Sequence, residues 1–336
     1  MKLSDFYYEL PKESVAQVPL KERDAARLMV LDRASGSISE RVFRDITEYM
    51  REGDCLILNN TRVVPARFYG KRRTGGNVEI FLLDTDSDPP RALIRPSKRV
   101  KDGEMIELEN GLCAEVLGRA DTGRFVRFDV PLREALKRGH VPLPPYISRE
   151  DSPEDREYYQ TVYGCVDGAT AAPTAGLHFT SDLFERLRAG GVRIGYITLH
   201  TSYGSFAPIR TENIEDHRMH SESFDINGRV ADLVSETKRS GGRVFAVGTT
   251  STRVLETAAA DRCEVASLRG RTDLFIYPGY DFKAVDSMIT NFHLPGSTLL
   301  MLVCAFAGRD LIFKAYRKAI EAGFRFYSYG DAMLII

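Results

Sequence analysis

Three histidines stand where regular spacing gives way to small and polar residues, and each could move a proton near neutral pH. His178 closes the run ATAAPTAGLH, His200 follows the apolar segment VRIGYITL, and His293 sits in NFHLPGST two residues after Asn291. The small residues from Ala169 to Gly176, Thr174 among them, with Pro173 fixing one backbone angle, let the chain lie against a ligand without side chains intervening. A second constellation, VGTTSTR, sets Gly248, Thr249, Thr250, Ser251 and Arg253 at the end of a strand and the start of a helix. Backbone N–H groups and hydroxyls at a helix start suit a carboxylate or a phosphate, and plain N-capping is the competing reading.

Other chemistries lack their signatures. No GxGxxG follows a strand and no GxxxxGK[ST] occurs, which disfavours dinucleotide and P-loop nucleotide binding, and GxSxG is missing too. His217 and His220 lie near Glu222, but no third ligand stands at a recognised spacing, so no metal is expected. A basic concentration runs through Arg62, Arg67, Arg72, Arg73, Arg95, Lys98 and Arg99, next to Phe68 and Tyr69. That is what an RNA surface following phosphates requires, against the plainer reading of solvated loop charge.

The elements that must position these groups fall into two textures. ARLMVLDR, CLILNN, VRIGYITL and RVFAVGTT read as apolar strands, separated by helical spacing at VFRDITEYM, EDREYYQTVYG, LFERLRA and GRVADLVSETKRSG. Thr180 to Asp182 offer N-caps, and Gly190-Gly191 a stop, for the helix that precedes the strand leading to His200. Between Arg62 and about Val130 six strand-like runs follow one another, divided by GG, DSDPP, KDGE, ENG and DTG with no helix between them. The expected fold is an α/β main domain, residues 1–61 and 148–336, carrying an inserted small antiparallel β-barrel domain over residues 62–147.

Composition agrees with a soluble globular chain of two domains. The 336 residues are 43% hydrophobic and 28% charged, and a net charge of −1 gives no global attraction to nucleic acid. Five scattered cysteines without a CxxC pair predict reduced thiols, and no apolar run reaches the ~18 residues of a membrane span. A cytoplasmic location follows as the expectation, with no membrane association and no obligate protein partner, most simply a monomer.

Several longer stretches carry a resemblance: DFYYELP, GDCLILNNTRVVPARFYG, ALIRPSKR, VPLPPYI, YYQTVYG, TAAPTAGLHFT, ITLHTSYGSFAPIR, FAVGTTSTRVLE, FIYPGYDFKAVDSMITNFHLPGSTLLMLV and the terminal YSYGDAMLI. Together they span nearly the whole chain, in order, and the chain resembles the S-adenosylmethionine:tRNA ribosyltransferase-isomerases of queuosine biosynthesis. Thr201, Tyr203 and Ser205 depart from the VGLGT more usual in that family, and GATAAP replaces GSVAAP.

The resemblance implies transfer of the ribosyl part of S-adenosylmethionine to a 7-aminomethyl-7-deazaguanine wobble base of tRNA. Adenine and methionine are released and the ribose is rearranged to an epoxycyclopentanediol, giving epoxyqueuosine. S-adenosylmethionine is then a co-substrate, and no metal or redox cofactor is implied. Such chemistry needs a base for the ribose 5′ carbon, acidified by the neighbouring sulfonium, and a proton donor for departing adenine. His178, His200 and His293 are the candidates, two of them expected to face the ribose. Thr174, Gly176, Gly248 and Asn291 would line the co-substrate, Thr249 to Ser251 would hold the methionine carboxylate, and Arg253 would be its charge partner. Two other classes remain: a methyltransferase using S-adenosylmethionine, for which the glycine-rich turn after the first strand is missing, and a non-enzymatic RNA-binding protein, which would leave the histidine loops without a role.

Overall fold

The computed structural model describes residues 1–201, 209, 211–259 and 264–336, and in it the chain builds a nine-stranded mixed sheet and a closed barrel. β1 (Arg27–Asp32) and β2 (Ser37–Val42) form an antiparallel hairpin at one sheet edge. The segment read as helical at VFRDITEYM is instead a 3-10 run over Phe43–Tyr49. Phe43, Ile46 and Tyr49 recur every three residues, and a three-residue turn stacks them on one face, the first two fully buried. β3 (Cys55–Asn59) is buried at every position, as a strand covered on both faces must be. β4 (Thr61–Val63) follows, and Pro65 separates it from the barrel.

The barrel comprises β5 (Arg67–Arg72), β6 (Asn77–Leu82), β7 (Arg91–Arg95), β8 (Glu104–Leu108), β9 (Cys113–Arg119) and β10 (Arg124–Phe128). These are the six runs read from the sequence. They close in the order β10-β7-β6-β5-β8-β9, every pairing antiparallel, so no strand edge is left open. Phe68, Ile80, Ile94, Ile106, Val116 and Val126 fill the interior. The fold is thus an α/β unit carrying an antiparallel barrel.

After α1 (Leu132–Lys137) the proline-rich VPLPPYI returns the chain to the main sheet. Val141, Leu143 and Ile147 pack there with Tyr159, Leu177 and Tyr329 in a core of their own. α2 is only Asp155–Tyr158, shorter than the helical spacing over 154–164 predicts. The Gln160 side chain explains the stop: it accepts from the Val63 amide (3.0 Å) and donates to the Val63 carbonyl (2.7 Å), which draws the chain out beside β4. β11 (Val166–Ala169) then pairs with β4 in parallel.

The main sheet is completed by β12 (Arg193–Leu199), β13 (Glu222–Ile226), β14 (Val244–Val247), β15 (Leu268–Thr272), β16 (Ser287–Asn291) and β17 (Ala332–Ile335), in the order β15-β13-β12-β3-β14-β16-β17-β1-β2. The helices are α3 (Ser181–Ala189), α4 (Gly228–Arg239), α5 (Gly248–Ala258), α6 (Thr298–Ala307) and α7 (Arg309–Glu321). Thr180 caps α3 by accepting from the Leu183 amide, and β12 then delivers His200 immediately past its last residue, as the local signals predict. β12, β3, β14 and β16 are parallel, so their C-terminal ends share one side of the sheet. Ligands bind on that side in open α/β sheets.

Candidate active site

A narrow pocket with about 40 Å³ of water-accessible volume lies at those strand ends. The small-residue segment contributes Ala172, Pro173, Thr174 and Ala175; β12 leads past His200 to Thr201, β14 runs into Gly248, Thr249 and Thr250, and β16 ends in Thr290 and Asn291. Gly248, at φ +85°, makes the strand-to-helix corner where a side chain would be strained. The hydroxyls beyond it do not cap α5: Val247 is the N-cap and no side chain bonds the first-turn amides, while the Thr252 hydroxyl donates to the Gly248 carbonyl. Thr250 Oγ1, Ser251 Oγ, Thr201 Oγ1 and Asn291 Oδ1 are buried and have no hydrogen-bond partner among the described residues. Buried polar atoms are nearly always paired, so such a concentration marks a site built to meet polar groups of a ligand.

Packing gives the three histidines different places. His293 lines the pocket. Its Nε2 is 2.6 Å from Thr290 Oγ1, its amide donates to the Tyr316 hydroxyl at 2.9 Å, and its carbonyl accepts from the Tyr8 hydroxyl. Burial pushes its imidazole down to about 3, which leaves it neutral at pH 7. His178 lies behind the pocket wall. Its Nε2 meets Asn291 Nδ2 at 3.4 Å, and Asn291 Nδ2 also donates to the Tyr327 carbonyl at 3.0 Å, which turns Oδ1 to the other side. Burial first, then the charges of Arg325 and Arg23, bring His178 down to about 4.

His200 sits on the far side of the small-residue segment. Its Nδ1 is 2.8 Å from Thr61 Oγ1 and its ring fills the space left by Gly168, where a Cβ would approach it to 2.7 Å. Burial lowers its pKa, opposed by the charges of Asp86 and Asp167.

Of the remaining expected co-substrate residues, Thr174, Gly248, Thr249, Thr250, Asn291 and Arg253 line the pocket, whereas Gly176 and Ser251 do not. Gly176 makes room for another part of the protein: a Cβ there would lie 1.9 Å from the Tyr163 hydroxyl oxygen. Arg253 is buried and already ion-paired with Glu222, and its Nε donates to the Leu274 carbonyl at 3.0 Å. Thr290 and Glu222 also belong to the site, on β16 and β13, neither of which is among the strands expected from the sequence. Tyr203 and Ser205 lie outside the described residues.

The expected RNA-binding cations divide. Arg72 is held bidentately by Glu104 (2.6 and 3.1 Å), and Arg67 is tied to Glu79 and to the Leu143 carbonyl. Arg73, Lys98 and Arg99 are exposed in the turns after β5 and β7, which share one barrel end; Arg95 is exposed near Glu79, and Arg62 on β4 is exposed near Asp167. Among the described residues no three His, Cys, Asp or Glu come together to hold a metal ion, and no helix is long and apolar enough to cross a membrane.

A family model described as queuosine biosynthesis protein matches residues 3–335. The chain is 52% identical to the S-adenosylmethionine:tRNA ribosyltransferase-isomerase of Geobacter metallireducens and 51% identical to that of Acetivibrio thermocellus, over the full length of both partners in each case. A crystal structure of the S-adenosylmethionine tRNA ribosyltransferase from Thermotoga maritima matches with a TM-score of 0.57 and 38% identity, over 99% of this chain and 100% of that one.

Proposed function

The chain belongs to the queuosine biosynthesis protein family, and we propose that it is an enzyme performing the reaction for which its curated relatives are named. It transfers the ribosyl moiety of S-adenosylmethionine to the 7-aminomethyl-7-deazaguanine wobble base of tRNA and isomerises it, releasing adenine and methionine.

The observation that carries the reading is the character of the pocket: uncharged polar atoms around a neutral imidazole, with neither hydrogen-bond partners for them nor a carboxylate in the lining among the described residues. A carboxylate beside the sulfonium would neutralise the positive charge that acidifies the adjacent ribose carbon. Arg253, the one charged residue of the lining among the described residues, is itself matched by Glu222. His293 then accepts the proton from the ribose 5′ carbon, and buried surroundings keep it unprotonated until it does. Asn291 is held by His178 and presents its carbonyl oxygen to the co-substrate. The first turn of α5, free of side-chain caps, receives the methionine carboxylate.

Mass analysis of tRNA after incubation with the protein and S-adenosylmethionine tests the reading. Epoxyqueuosine in the tRNA with free adenine and methionine is the expected result. Accumulation of S-adenosylhomocysteine with a methylated nucleoside would overturn it in favour of methyl transfer.

A further inference from the structure

A groove of about 750 Å³ runs along the junction between the barrel and the main sheet. Its walls carry Arg62, Arg133, Lys137 and Arg156, against one acid, Asp167, and its floor includes Val64, Leu136 and Pro142. All four cations are exposed. Arg133 is in no ion pair among the described residues, and Arg156 donates to a neutral acceptor, the Gly139 carbonyl, at 2.8 Å. Lys137 pairs with Glu134 one helical turn away, and Arg62 lies 3.9 Å from Asp167. Exposed pairs of this kind are weak and can be exchanged for a phosphate.

The groove and the pocket share a wall. Gly168 lines the groove and Ala172 to Ala175 line the pocket, so one short segment, with His200 packed against its first glycine, separates the two. We propose that this junction groove is the RNA-binding surface: Arg62, Arg133, Lys137 and Arg156 hold the phosphates of a single-stranded loop, and one base turns across the 168–174 segment into the pocket. The inference rests on the proposed reaction for the identity of that base. Of these cations only Arg62 stands in the basic concentration visible in the sequence.

Geometry favours the groove over the basic barrel end. Arg73 follows β5, whose first residue bonds the returning segment at Leu143, so six strand residues, about 20 Å, separate it from the junction. RNA held only at that end would have to span this distance before a base reached the strand ends.

The test measures binding of an anticodon stem-loop RNA across a salt series, without turnover, for Arg133→Gln/Lys137→Gln and for Arg73→Gln/Lys98→Gln/Arg99→Gln. Each single-strand phosphate contact contributes roughly 0.7 to the log–log salt slope. The groove variant is expected to lose about 1.4 from the slope and to bind on the order of 10–30-fold more weakly at 0.1 M salt. Its affinity for S-adenosylmethionine should be unchanged, and the barrel-end variant should bind RNA within about twofold of the parent. Arg133→Gln alone, an exposed change on a short helix, should show half the slope effect and guards against a folding artefact. An unaltered slope in the groove variants, or a larger loss in the barrel-end variant, overturns the proposal. Failure of the proposed reaction reads differently: RNA binds with the expected slopes while the parent protein leaves tRNA unmodified.

Discussion

The pocket at the strand ends and the groove at the barrel junction lie on either side of one segment, and they are built from opposite materials. The pocket gathers buried, uncharged polar atoms without partners among the described residues around a neutral histidine. The groove gathers exposed charges over an apolar floor. Buried uncharged groups act only on a ligand that fits, and they are fixed before it arrives, which suits placing a reactive centre. Exposed cations act at a distance and are screened by salt, which suits gathering a polyanion. The difference assigns chemistry to one side of the 168–174 segment and capture to the other.

The sharpest way to break that comparison is to move the proton acceptor. His293→Ala should lower kcat by about 10²–10⁴-fold, the usual contribution of a general acid or base, while RNA affinity stays within error. His178→Ala, acting through Asn291, should cost less in kcat, and His200→Ala should appear mainly in the KM for tRNA because its ring lies toward the groove. If His200→Ala removed kcat and His293→Ala did not, the chemistry would belong to the other side of the wall.

Next in size is the buried ion pair beneath the pocket. Arg253→Gln takes the guanidinium from the buried Glu222 carboxylate, and removing one partner of such a pair costs about 3–5 kcal/mol. Denaturant unfolding should register that loss. A variant of parent stability with a raised KM for S-adenosylmethionine would instead restore Arg253 to the carboxylate-binding role its sequence position suggests.

Gly176→Ala sharpens the boundary of the pocket. A methyl group there would overlap the Tyr163 hydroxyl, an overpacking cost of about 1–3 kcal/mol, with the KM for S-adenosylmethionine unchanged. An altered KM at unchanged stability would return Gly176 to the ligand.

These tests follow the line between what the sequence shows and what only packing decides. The barrel is legible because its strands alternate and its turns are spelled out by glycine, proline, aspartate and asparagine. β16 is not: Ser287–Asn291 is buried at all five positions, so it has no alternation, and its serine, threonine and asparagine read as loop. That missed strand carries Thr290 and Asn291 and sets the position of His293. The three histidines look equivalent in sequence because what separates them is contact over long range, such as that between His178 and Asn291, 113 residues apart. Gly176 and Arg253 stand out in the sequence, but the groups they serve, Tyr163 and Glu222, come from other parts of the chain. The groove cations Arg133, Lys137 and Arg156 lie outside the conspicuous basic run, and only the return of the chain after the barrel brings them beside Arg62.

The smallest effect concerns the neutral state on which the pocket depends. Burial holds His178 and His293 at about 4 and about 3, below the ordinary 6.5 of the unfolded chain. As pH falls below 6.5 the unfolded chain takes up protons that the folded histidines refuse, so their contribution is fully present above 6.5 and is lost progressively toward 4 and 3. Each histidine contributes a slope of at most about 1.4 kcal/mol per pH unit in that window. Buried Glu256 and Asp331 act oppositely, since burial raises their folded pKa and the folded state gains on them as pH falls. A comparison of parent and variant removes these shared contributions. The measurement is the unfolding free energy of the parent and of His178→Gln, which keeps an acceptor for Asn291, at pH 7 and pH 5. The parent should lose up to about 2 kcal/mol more than the variant over that interval. Parallel losses would mean that His178 takes up its proton in the folded protein, and the wall behind Asn291 would then be open to water rather than the dry support that holds the amide in place.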